Sequence, residues 1–128
     1  MKLHHIGIVV EDIEKSRKRY EKIFGIKVGI KPYEDKNMKV KILFFDLGDV
    51  KIELIEPVGE SGVSRFLEKK GEVLHHLAYE VRDINKTVKN LKEKGANIIE
   101  PVDAYEGRVA FIHPKDVGIL IEFVESKN

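Results

Sequence analysis

The chain has 128 residues, 23 Lys plus Arg against 22 Asp plus Glu for a net charge of +1, and no cysteine. That length suits one compact domain, and such balanced charge gives no bulk field for nucleic acid or an anionic membrane, leaving a small molecule as the expected partner. Lack of cysteine excludes disulfides, thiolate zinc sites and a cysteine nucleophile, so any metal must be held by His and carboxylates.

Residues 2 to 10 alternate and are rich in Ile and Val, which predicts a strand. Asp12 is placed to N-cap a helix over 13 to 24, with Ile13, Tyr20, Ile23 and Phe24 on its inward side and Gly25 as its stop. A short strand is expected at 28 to 31 and a polar turn at 32 to 37. A longer strand follows at 39 to 47, then a Gly48-Asp49 hairpin into a strand at 51 to 56. Residues 58 to 71 form a linker whose helix, capped by Ser61 and closed by Gly71, buries Val63, Phe66 and Leu67. The order then recurs: a strand over 73 to 81, a helix over 84 to 94 with Ile84, Val88 and Leu91 inward, and a strand at 97 to 99. A loop through Pro101 and Tyr105 leads to a strand over 108 to 112, a turn at His113-Pro114-Lys115-Asp116, a strand over 119 to 124 and a tail over 126 to 128.

The recurrence is literal at its start. Leu3, His4, His5, Val10, Asp12 and Ile13 return as Leu74, His75, His76, Val81, Asp83 and Ile84, all at an offset of 71. A fixed offset marks a duplicated supersecondary unit. The expected fold is therefore α+β, two tandem βαβββ modules (1 to 57 and 72 to 125) forming one domain with a curved mixed sheet around a cavity. At roughly 60 residues, neither module is expected to fold alone. The longest apolar runs fall well short of the ~20 residues of a membrane span, and the first strand begins with no signal-peptide-like stretch. A cytoplasmic location is the expectation. The charged fraction of 35%, mostly Lys and Glu, occurs in heat-adapted proteins and in ordinary ones alike.

Strand side chains alternate faces, so one histidine of each adjacent pair points into the cavity. On the first strand His4, Ile6, Ile8 and Val10 form a bulky face suited to packing under a helix, while His5, Gly7 and Val9 form a small one. In the second module His75, Leu77, Tyr79 and Val81 are bulky, and His76 and Ala78 small. Both strands nominate the second histidine, and a small residue two positions on leaves room for a ligand. His4 and His75 are read as packing or ligand-supporting groups and His113 as a surface residue. Each module also ends on a carboxylate inside an apolar run, Glu53 in Ile52-Glu53-Leu54-Ile55 and Glu122 in Leu120-Ile121-Glu122-Phe123. A buried carboxylate costs several kcal/mol unless something positive meets it. The spacings His5 to Glu53 (48) and His76 to Glu122 (46) nearly agree, so His5, Glu53, His76 and Glu122 are the expected ligands of one divalent metal, Co, Ni, Zn or Mn, six-coordinate with two open positions.

Several stretches are similar to the vicinal-oxygen-chelate (glyoxalase) superfamily, and within it to the methylmalonyl-CoA epimerase family. They are His4-His5-Ile6-Gly7-Ile8, Lys51-Ile52-Glu53-Leu54-Ile55-Glu56-Pro57, Phe66-Leu67-Glu68-Lys69-Lys70-Gly71, Leu74-His75-His76-Leu77-Ala78, and Phe111-Ile112-His113-Pro114-Lys115-Asp116 with Leu120-Ile121-Glu122. The resemblance covers essentially the whole length and implies metal ligation by His5, Glu53, His76 and Glu122, with Glu122 also a base. It departs at Glu34-Asp35-Lys36-Asn37-Met38, where epimerases usually place a Glu with a Gln or His, and in a shortened loop over 102 to 108.

The resemblance implies an enzyme that moves the proton next to a thioester carbonyl of methylmalonyl-CoA or a similar acyl-CoA through an enolate, as a homodimer. Epimerisation needs acid-base groups on both faces of that enolate. Glu122 is assigned to one; Glu53 and Glu34 are the candidates for the other. The alternatives are a glyoxalase I-type lactoylglutathione lyase, which uses the same ligand set, and a metal-free binding protein on the same scaffold.

Overall fold

A computed structural model describes residues 1–127, and the expected tail ends on Asn128, outside the described residues. The fold is α+β, with the elements β1 (Lys2–Val9), α1 (Ile13–Phe24), β2 (Tyr33–Asp35), β3 (Val40–Leu47), β4 (Val50–Pro57) and α2 (Gly62–Lys70), followed by β5 (Val73–Glu80), α3 (Ile84–Glu93), β6 (Val102–Ala104), β7 (Gly107–Ile112), α4 (Pro114–Val117) and β8 (Ile121–Ser126). All eight strands belong to one mixed sheet. The chain separates into two compact units, one of Ile6–His75 and one of Met1–His5 with the chain from His76 onward; β1 and β5 contribute residues to both.

In the unit of Ile6–His75 the strands run β2-β3-β4-β1. Period-two alternation sorts their side chains. Leu43, Phe45, Ile52 and Leu54 pack with Ile13, Tyr20 and Val28 under α1, while Val9, Val40, Ile42 and Ile55 on the other face pack with Val63, Phe66 and Leu67 of α2. Full burial of side chains such as Ile13, Leu43 and Leu54 is worth about 2 kcal/mol each. α1 starts where the Asp12 carboxylate accepts the Lys15 N–H at 3.1 Å and stops at Gly25, whose φ of 66° is left-handed. A second cap comes from the far end of β4, where the Glu56 carboxylate accepts the Ile13 N–H at 2.9 Å.

The other unit orders its strands β1-β5-β8-β7-β6, with β5 and β8 parallel. Leu77, Tyr79, Ile121 and Phe123 pack with Ile84 and Val88 under α3. The residues between them, His76 and Ala78 on β5 and Glu122 and Val124 on β8, therefore take the face away from α3. The capping scheme repeats. Asp83 accepts the Lys86 N–H at 3.0 Å and Glu125 accepts the Ile84 N–H at 2.9 Å.

Several sequence expectations are corrected. No strand forms at 28 to 31, because the Val28 N–H is taken by the Glu21 carboxylate at 2.8 Å and the Ile30 carbonyl by the Arg17 guanidinium at 2.5 Å; the strand lies instead at Tyr33–Asp35, inside the expected turn. Residues 97 to 99 make only an isolated bridge, Ile98 to Ile112, since the Asn97 N–H is held by the Asp116 carboxylate at 2.6 Å, and the edge strand is Val102–Ala104. Ile23 is 73% exposed and Phe24 50%. Ile23 lies about 80° around the helix from Ile13 at 3.6 residues per turn, and Phe24, at the last position, stands perpendicular to the Tyr20 ring with centroids 5.3 Å apart. The His113 turn is a short helix, α4, capped by the exposed His113, whose Nδ1 accepts the Lys115 N–H.

Candidate metal centre

His5 on β1, His76 on β5 and Glu122 on β8 come from three neighbouring strands and are buried, with exposures of 0%, 3% and 1%. The two Nε2 atoms are 3.1 Å apart, and Glu122 Oε1 is 3.1 Å from His76 Nε2 and 3.5 Å from His5 Nε2. The imidazole planes stand at 85°. Ala78, opposite Glu122 in the β5–β8 register, keeps a larger side chain away. Phe111, opposite Glu122 across β7–β8, presents its ring at 6.1 Å from that of His76.

The donor set fits a divalent cation. Ligand atoms about 2.1 Å from a metal and cis to one another lie about 3.0 to 3.4 Å apart; the two edges of 3.1 Å fall in that range, and the third, at 3.5 Å, lies just beyond it. Glu122 Oε2 is buried and receives no hydrogen bond, a cost of several kcal/mol without positive charge nearby. Burial pushes the Glu122 carboxyl up, but hydrogen bonds from the His5, His76 and Glu106 side chains outweigh it and hold Glu122 well below the usual carboxylate range.

Glu53 lies in the other unit, 5% exposed on β4. Its position duplicates that of Glu122: Phe44 faces Glu53 across β3–β4 as Phe111 faces Glu122, and Glu53 lies between Ile52 and Leu54, which pack under α1. Glu34 is exposed on the edge strand β2, opposite Lys41, a poor place for proton transfer to a sequestered substrate. His75 stands edge-on to Phe66, with centroids 4.8 Å apart.

Sequence reasoning missed three carboxylates. Glu56 and Glu125 follow the motif glutamates by three residues, and this shared spacing was the available signal for their capping role. Glu106 carried no such signal, since a glutamate in a Tyr-Glu-Gly turn reads as solvated. It is set by Gly107, whose φ is 144° and where an added Cβ would lie 2.2 Å from the Glu125 carbonyl oxygen. Only glycine lets β7 approach β8 so closely, and the residue before it is half-buried.

Comparison with known proteins agrees with this fold. The chain is 39% identical to the ethylmalonyl-CoA/methylmalonyl-CoA epimerase of Cereibacter sphaeroides, over 94% of this chain and 95% of the relative. It is 36% identical to the mitochondrial methylmalonyl-CoA epimerase of Bos taurus, over 98% of this chain and 74% of the relative. Among solved structures, a Streptomyces coelicolor methylmalonyl-CoA epimerase variant in complex with 2-nitronate-propionyl-CoA superimposes with a TM-score of 0.93 at 28% identity, covering 100% of this chain and 99% of that one. Among the described residues no helix is long and apolar enough to cross a membrane. Residues 4–111 match the family model of the Glyoxalase/Bleomycin resistance protein/Dioxygenase superfamily, and the chain belongs to that superfamily.

Proposed function

We propose that this protein is a metal-dependent epimerase that inverts the α-carbon of methylmalonyl-CoA or a similar acyl thioester. The observation that carries this reading is the buried His5, His76 and Glu122 cluster, spaced for a divalent cation, with one carboxylate oxygen receiving no hydrogen bond. Glu53, the duplicate of Glu122, supplies the fourth ligand, and Co, Ni, Zn or Mn suits two imidazoles and two carboxylates. When bound, the cation supplies Lewis-acid stabilisation of the negative oxygen that develops on the thioester as the α-proton leaves.

The chain's own residues do the rest. Held ionised, Glu122 takes the α-proton, the C–H electron pair passes into the enolate, and the carboxylate becomes a carboxylic acid. Glu53, which starts the cycle as a carboxylic acid with its proton on the oxygen that does not face the cation, gives that proton to the opposite face of the enolate and is left as a carboxylate, which inverts the centre. Phe111 lines the His76 side with an apolar ring edge and keeps water from the reacting carbon. The working unit in this reading is a cytoplasmic homodimer.

The test is loss of the α-proton signal of methylmalonyl-CoA in deuterium oxide. Exchange from both epimers is expected. Turnover of the methylglyoxal–glutathione hemithioacetal without that exchange would assign the protein to the glyoxalase I type instead. Absence of both activities, with no divalent metal retained after exhaustive dialysis, would leave a binding protein.

A further inference from the structure

We infer that His4 is a positioning residue for the metal centre, fixing the ring orientation and proton of His5 through an imidazole–imidazole hydrogen bond. The inference rests on the metal-centre reading above but not on the identity of the substrate.

His4 Nδ1 lies 2.7 Å from His5 Nδ1, with ring centroids 5.0 Å apart and planes at 76°. Two imidazole nitrogens approach that closely only when one carries a proton and the other offers a lone pair. A neutral imidazole has a single N–H, and the other end of His5, Nε2, is the atom 3.1 Å from His76 Nε2 and 3.5 Å from the Glu122 carboxylate. A cation there needs the Nε2 lone pair, which leaves the His5 proton on Nδ1. His5 therefore donates, His4 accepts, and the proton of His4 sits on its own Nε2. Ligating histidines usually donate their second N–H to a carboxylate, a carbonyl or water; here a histidine takes that part. Alternation alone sends His4 to the opposite face of the strand, and the structure instead brings its Nδ1 back to its neighbour. The duplicated residue His75 packs against Phe66.

Two variants separate this role from packing. His4→Phe keeps the ring and removes the acceptor, whereas His4→Asn places an amide oxygen where Nδ1 stood. Co²⁺ affinity, measured by competition with a chromophoric chelator, is expected to fall roughly ten- to a hundredfold in His4→Phe and to stay within about threefold of wild type in His4→Asn, the acceptor being kept. In the Zn²⁺-loaded protein, long-range ¹H–¹⁵N spectra of the imidazoles are expected to show His5 protonated on Nδ1, with that N–H exchanging faster with water in His4→Phe. Wild-type affinity in His4→Phe, equal loss in both variants with the fold intact, or a His5 proton on Nε2 in the wild type would each overturn the inference. A wild type that binds no Co²⁺ would overturn it together with the metal-centre reading. Co²⁺ binding that follows the expected pattern, with no α-proton exchange, would sink the epimerase assignment alone and leave His4 in its role.

Discussion

The two copies of the repeat keep one frame and differ in what surrounds the ligands. In each, an aspartate caps the helix, a glutamate three residues beyond the motif carboxylate bonds the first helical N–H, and a phenylalanine stands opposite that carboxylate. In the second copy a carboxyl, Glu106, stands beside the motif glutamate. By register Val40 and Gly107 are equivalent, since each pairs with the last residue of the preceding edge strand, so the first copy has Lys39 where the second has Glu106. The histidines differ as well, with His4 bonded to His5 and His75 packed on Phe66. Duplication thus supplies matched ligands, while divergence around them makes the two carboxylates chemically unequal.

The largest expected effect comes from breaking the match at the carboxylates. Glu122→Gln should slow deuterium exchange of one epimer by about 10² to 10⁴-fold, the range for loss of a positioned acid or base, and Glu53→Gln should slow exchange of the other. Nuclear magnetic resonance with each pure epimer reads this directly, and two variants that slow the same epimer would refute the two-face assignment.

Making the second copy resemble the first at Gly107 comes next. Gly107→Val, the residue type of position 40, forces a Cβ against the Glu125 carbonyl at a φ of 144°. A loss of about 3 kcal/mol is expected from backbone strain with overpacking, measured by urea denaturation.

The shared caps should respond alike. Glu56→Gln and Glu125→Gln each weaken a bond from a helix N-terminus to an ionised carboxylate, and each should cost about 1 kcal/mol. Clearly different losses would mean that the frame is less symmetric than its hydrogen bonds suggest.

The smallest effect belongs to the second copy alone. The backbone bond from Asn97 holds Asp116 below its ordinary value of 3.8, with help from the Asn97 amide and the Lys115 and His113 charges. A depressed carboxyl stabilises the fold above its unfolded value and loses that contribution as pH falls through its folded value. The melting difference between wild type and Asp116→Asn should therefore be present at neutral pH and shrink below about pH 4.

What the sequence determined by itself was the duplicated frame and the inward faces, because these depend on neighbours a few residues apart. An aspartate before an apolar-periodic run caps α1 and α3, and bulky residues at every second position of β1 and β5 mark the face that a helix covers, leaving His5 and His76 on the other. Tertiary structure decided what depends on distant partners. Glu21 and Arg17 take the backbone groups that a strand at 28 to 31 needed, the Glu125 carbonyl leaves room only for glycine at 107 and so sets Glu106 in place, and the return of His4 to His5 overrides simple alternation. Those outcomes follow from which polar groups the folded chain brings within 3 Å of each other, and local periodicity carries no record of that.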